Sequence, residues 1–120
     1  MKRGKKSSTK RDRVELREET LRPSPYLGYG RDKLAVHLIS HESCNFAEPQ
    51  LRRAIWLNPF EPAFKQHLAW CLYKQKQYAE ARTWIKKAIE QEPSEINNQQ
   101  MLETIEKALA GSLENQWKEH

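Results

Sequence analysis

The sequence predicts an all-α protein of about five helices, arranged as antiparallel hairpins stacked into a short solenoid behind a basic N-terminal tail that is disordered in isolation. Three observations carry this expectation. The chain resembles itself at a shift of 34 residues, the positions that match are small or apolar, and helix breakers are few, with 4 Gly and 6 Pro among 120 residues. Self-similarity at such a period is the signature of helical hairpins that bury their apolar faces on one another.

Residues 1–27 form the tail and a proline-containing arm. Residues 1–13 hold seven basic residues (Lys2, Arg3, Lys5, Lys6, Lys10, Arg11 and Arg13) against Asp12, a charge of +6. The rest of the chain, with 14 basic and 15 acidic residues, is close to neutral, although the whole chain carries +5. A stretch of Lys, Arg, Ser, Thr and Gly has nothing to bury and cannot offset the entropy of ordering. From Val14 to Leu21 the pattern allows two helical turns, which Pro23 and Pro25 end.

The first unit spans residues 28–61 and the second 62–95. Laid on each other they pair Leu34 with Leu68, Ala35 with Ala69, Leu38 with Leu72, Ala47 with Ala81, Ala54 with Ala88, Ile55 with Ile89 and Pro59 with Pro93. In the first unit Pro49 leaves two readings of the second helix. Either Asn45 caps it and Pro49 lies in its first turn, or it begins at Pro49 and residues 41–48 are loop. Gly28-Tyr29-Gly30 reads as a flexible helix start and no more. Residues 96–120 form a cap, with Ser94 as N-cap, a helix to about Ala110 and Gly111 as its stop. Leu102, Ile105 and Leu109 make its apolar edge, and Glu103 stands where another hairpin would need a small residue. Leu113 and Trp117 add a last short turn or an adhesive end.

The second unit resembles the tetratricopeptide repeat at Leu68, Ala69, Leu72, Tyr78, Ala81, Ile85, Ala88 and Pro93, and the first retains Leu34, Ala35, Leu38, Ala47, Leu51, Ala54 and Pro59. The small residues let two helices approach and the large ones fill the space between. Cys44 departs from the pattern, standing where the second unit has Tyr78. Arrays of this kind generally need about three repeats. The segment around Leu16, Leu21, Tyr26 and Leu27 is therefore expected to pack on the first hairpin, unless a partner or a second copy covers it.

The resemblance implies a non-enzymatic adaptor or scaffold whose first helices line a groove for a protein or peptide segment. By family position that groove is offered Tyr29, Asp32, Val36, Ile39, Gln66, Trp70, Tyr73 and Lys74. Aromatic residues at helical spacing beside Lys and Gln suit a peptide, although Trp70 and Tyr73 could equally pack on the arm or the cap. Members that bind chaperone tails hold a carboxylate with Lys, Asn and Arg. Asp32, Val36, Gln66 and Trp70 stand at those places here, which disfavours such a ligand.

The alternative is an accessory subunit of a ribonucleoprotein or other nucleic-acid assembly, anchored by the basic residues of the tail through phosphate neutralisation. No aromatic side chain lies in residues 1–13, so base stacking and sequence reading are not expected there. Catalysis is not expected either, since the chain has no glycine-rich phosphate loop, nucleophile elbow or His-Glu-x-x-His. His37, His41 and Cys44 have ligand spacing but lack a fourth ligand. No metal or other cofactor is expected, and the preferred reading puts His37 partly against the second helix and His41 at an exposed helix end.

No apolar run approaches the roughly 20 residues of a membrane span. Two cysteines do not make a disulfide framework, and the basic start has neither a signal-peptide core nor an amphipathic transit face. The cytoplasm is the expected compartment, without a membrane partner, and a homodimer is a further expectation.

Overall fold

The computed structural model of the protein describes residues 22–118. Five helices follow one another: α1 (Tyr29–Ser40), α2 (Cys44–Leu57), α3 (Pro62–Lys74), α4 (Tyr78–Gln91) and α5 (Ile96–Lys118). Helix α1 packs on α2, α2 on α3, α3 on α4 and α4 on α5, while α3 also touches α1 and α5. This is the nearest-neighbour packing of a short helical solenoid. The basic residues of the tail, with Leu16 and Leu21, lie outside the described residues.

The two hairpins share one turn. At its centre Glu42 and Lys76 adopt positive φ, 62° and 65°, a left-handed conformation that ends a helix. Around each the hydrogen bonds repeat: Ser43 N donates to Leu38 O (2.8 Å) and Gln77 N to Leu72 O (2.9 Å), while Glu42 N donates to Ile39 O (3.0 Å) and Lys76 N to Tyr73 O (2.9 Å). Neither Glu nor Lys is enriched in that conformation, so the turn left no local signature in the sequence.

Helix α2 begins at Cys44, earlier than either reading of Pro49 allowed, and continues through the proline. Pro49 stands in its second turn. The missing N–H removes one helical hydrogen bond, and burial of Cys44, Ala47, Leu51, Ala54 and Leu57 holds the helix through that loss. Helix α3 starts on Pro62, pre-set for a first helical position, and the Glu61 carboxylate accepts from Ala63 N at 3.1 Å. Helix α4 ends at Gln91, two residues before Pro93.

Helix α5 departs from expectation at both ends. It starts at Ile96, so Ser94 lies in the turn before it and is not its N-cap. It runs 23 residues, through Gly111, which is helical. Gly28 departs too. Its φ of +90° and the space around it both demand glycine, since an added Cβ would meet Phe64 Cε2 at 2.8 Å and Ala54 O at 3.0 Å.

The core runs through all five helices: Ala35, Ile39, Ala47, Leu51, Ala54, Leu68, Ala69, Cys71, Leu72, Ala81, Ile85, Ala88 and Ile105 are fully buried. Polar bonds stitch the hairpins together. Arg52 pairs with Glu48 (3.0 Å) and with Glu80 (2.6 Å), and Gln75 Nε2 donates to Glu48 Oε1 at 3.0 Å. The buried Lys65 ammonium donates to Pro59 O (2.8 Å) and Gln91 Oε1 (2.6 Å), and burial pushes its pKa down. In the arm, Leu27 O accepts from Asn58 Nδ2 at 3.1 Å and Ser24 N donates to Leu57 O at 3.0 Å. The arm thus touches the first hairpin, although Tyr26 is exposed.

Candidate functional site

Helices α1 and α3 lie side by side and carry all eight residues named for the groove. Trp70 on α3 is half-buried: its ring leans on the core and still reaches the surface. One helical turn on, Lys74 places its ammonium 5.6 Å from the centre of that ring and 3.5 Å from the Glu42 carboxylate. The indole thus presents a wide apolar surface whose rim is cationic. Tyr73 packs on Tyr78 with ring centres 5.6 Å apart, which fixes its orientation from the neighbouring helix.

Asp32 on α1 holds His67 on α3, with Oδ1 and Nδ1 2.6 Å apart. His67 was not singled out in the sequence. It follows Gln66 directly and is the 34-residue image of Lys33, so neither the family positions nor the repeat pointed to it. Val36 and Gln66 are partly exposed.

One expected groove residue is placed otherwise. Ile39 is fully buried in the core and has no surface to offer a partner. Its repeat counterpart is Tyr73, whose ring partner Tyr78 is replaced by the small, buried Cys44, so the first hairpin closes over an aliphatic side chain where the second keeps two aromatic rings. Tyr29 is engaged at the start of α1, its hydroxyl donating to Glu61 Oε1 at 2.9 Å and its ring edge-on to Phe64 at 5.1 Å. The bond to the Glu61 carboxylate raises the Tyr29 pKa.

His37 is exposed and not packed against α2, contrary to expectation. Its ring meets that of His41 at a tilt of 58°, with ring centres 4.4 Å apart. Cys44 is buried and turns its carbonyl to Cys71, whose thiol donates to it at 3.0 Å. Burial pushes the Cys71 thiol up to about 12, which leaves it protonated and unreactive at neutral pH. Among the described residues no group of three His, Cys, Asp or Glu side chains could hold a metal ion.

Residues 62–95, the whole of α3 and α4 with the turn between them, match the model of the tetratricopeptide repeat. This chain is a tetratricopeptide-repeat-like protein. Comparison with curated proteins finds no match. Within the matched repeat, Leu68, Ala69, Leu72, Ala81, Ile85 and Ala88 are all buried, as the roles of small and large residues in tetratricopeptide hairpins require. Repeats of this family are interaction modules for other proteins. No described helix is long and apolar enough to cross a membrane.

Proposed function

We propose that the protein is a non-enzymatic adaptor that holds a segment of a protein partner on the face shared by α1 and α3, with Trp70 and Tyr73 as its centre. The observation that carries this reading is the half-buried Trp70 with the Lys74 ammonium 5.6 Å from its ring. Such an indole is anchored by the core at one edge and adds contact area at the other without a large entropic cost, as interface anchors do. Lys74 and the Asp32–His67 pair supply polar contacts on the same two helices. They favour a segment with apolar residues and an acidic group near Lys74.

The test is co-purification from the native cell with the unaltered protein, Trp70→Ala and, as a control, Trp56→Ala, whose indole lies exposed on α2 under the Arg53 guanidinium. Trp70→Ala should lose the partner by tenfold or more and Trp56→Ala should retain it. Equal recovery by all three proteins, at unchanged helicity, removes this face from the function.

A further inference from the structure

Helix α3 turns one side towards the hairpin before it. Leu68 and Cys71 on that side are fully buried, Cys71 bonds to the Cys44 carbonyl, and Gln75 reaches Glu48. Thirty-four residues earlier the same side of α1 carries Leu34, His37 and His41. Leu34 is 47% exposed where Leu68 is 0%. On α2, Phe46 stands where α4 has Glu80, the partner of Arg52, and is 65% exposed. The first hairpin therefore keeps an apolar side of the kind that, in the second, lies under a helix.

The arm shows what belongs there. Between the hairpins, Asn58-Pro59-Phe60 is held by a bond from Phe60 N to Asn58 Oδ1 at 3.1 Å. Thirty-four residues earlier Ser24-Pro25-Tyr26 makes the same bond, from Tyr26 N to Ser24 Oγ, at 3.2 Å. Ser24 N also donates to Leu57 O, so the two connectors lie against each other. The arm is thus a second copy of the connector that joins one hairpin to the next, and the chain ahead of it arrives where a preceding second helix would end.

We propose that residues 10–21 are that helix, and that they cover the open side of the first hairpin. Residues 10–21 in helical form span about 18 Å, the length of the 12-residue α1. In the register of the repeat Val14 takes the place of Glu48 and faces His41, Thr20 takes the place of Ala54, and Leu21 that of Ile55. Arg13 and Arg17 stand where Ala47 and Leu51 do, so the segment lines one face and does not fill a closed core. Over residues 10–21 Asp12, Glu15, Glu18 and Glu19 balance Lys10, Arg11, Arg13 and Arg17, so the segment brings no net charge to the face, where Arg31 donates to Gln50 at 2.8 Å. The basic residues 1–9 are then delivered to one end of the solenoid.

The register gives a direct test by disulfide trapping in the full chain, with the buried Cys44 and Cys71 left in place. Glu48→Cys with Gln75→Cys, whose parent side chains are in contact, sets the reference rate. Val14→Cys with His41→Cys should close within a single chain at a rate within about tenfold of that reference. In the unaltered protein, amide exchange over residues 14–21 should be slowed at least tenfold relative to an unfolded peptide. A reference pair that closes while the Val14 and His41 pair stays open overturns the proposal and leaves the face to an outside partner. A link found only between two chains overturns it in favour of a dimer.

Discussion

Gly28 is the residue on which the start of the first hairpin turns. Its φ of +90° costs an L-residue about 1–2 kcal/mol by itself. A methyl group there also meets the Ala54 backbone, which is fixed inside α2, and the ring of the fully buried Phe64. Neither can give way without moving a helix. Gly28→Ala is therefore expected to destabilise the protein by about 2–4 kcal/mol, seen as a lower urea midpoint at unchanged slope. Gly30, two residues on, meets nothing within 4 Å and serves as the control. The sequence shows two similar glycines; only the packing of α1 over α2 and α3 separates them.

At the scale of elements, α5 differs most from its sequence signals. Gly111 looked like a C-terminal stop because glycine supplies the left-handed residue that ends many helices. In the structure it lies inside the helix, and an added Cβ would meet nothing within 4 Å. Gly111→Ala should then stabilise the protein by about 0.5–1 kcal/mol, read as a higher melting temperature. A loss of stability would show that the glycine is needed where it stands.

Helices α3 and α4 were legible because nearly every position that distinguishes a tetratricopeptide hairpin is filled by a residue of the right size. The start of α2 was not, because Pro49 marks the cost of one hydrogen bond and not the burial that outweighs it. For the candidate site, Trp70, Tyr73 and Lys74 came from their positions in the family pattern. The burial of Ile39 was not read, although the small Cys44 in the place of Tyr78 is visible in the sequence. His67 could be found only once Asp32 was seen opposite it across two helices.

Over the whole molecule the question is whether these helices unfold as one unit or piecewise, since each touches only its neighbours. The junction between hairpins decides it. There the Cys71 thiol meets the Cys44 carbonyl, Gln75 meets Glu48, and Arg52 bridges Glu48 to Glu80, all over a shared core. Both α2 and α3 bury residues on each side, so opening one hairpin exposes the apolar face of the other. Such coupling predicts that the described helices unfold as one cooperative unit. Ile105, fully buried at the far end on α5, probes this. Ile105→Ala should lower the global stability by about 2–5 kcal/mol. If the junction holds, hydrogen exchange will show the slowest amides of α1 losing the same free energy of protection as those of α4, although α1 does not touch Ile105. Loss confined to α4 and α5 would mean that the hairpins open separately, and the proposed partner face on α1 and α3 would then be a joint that partners could open.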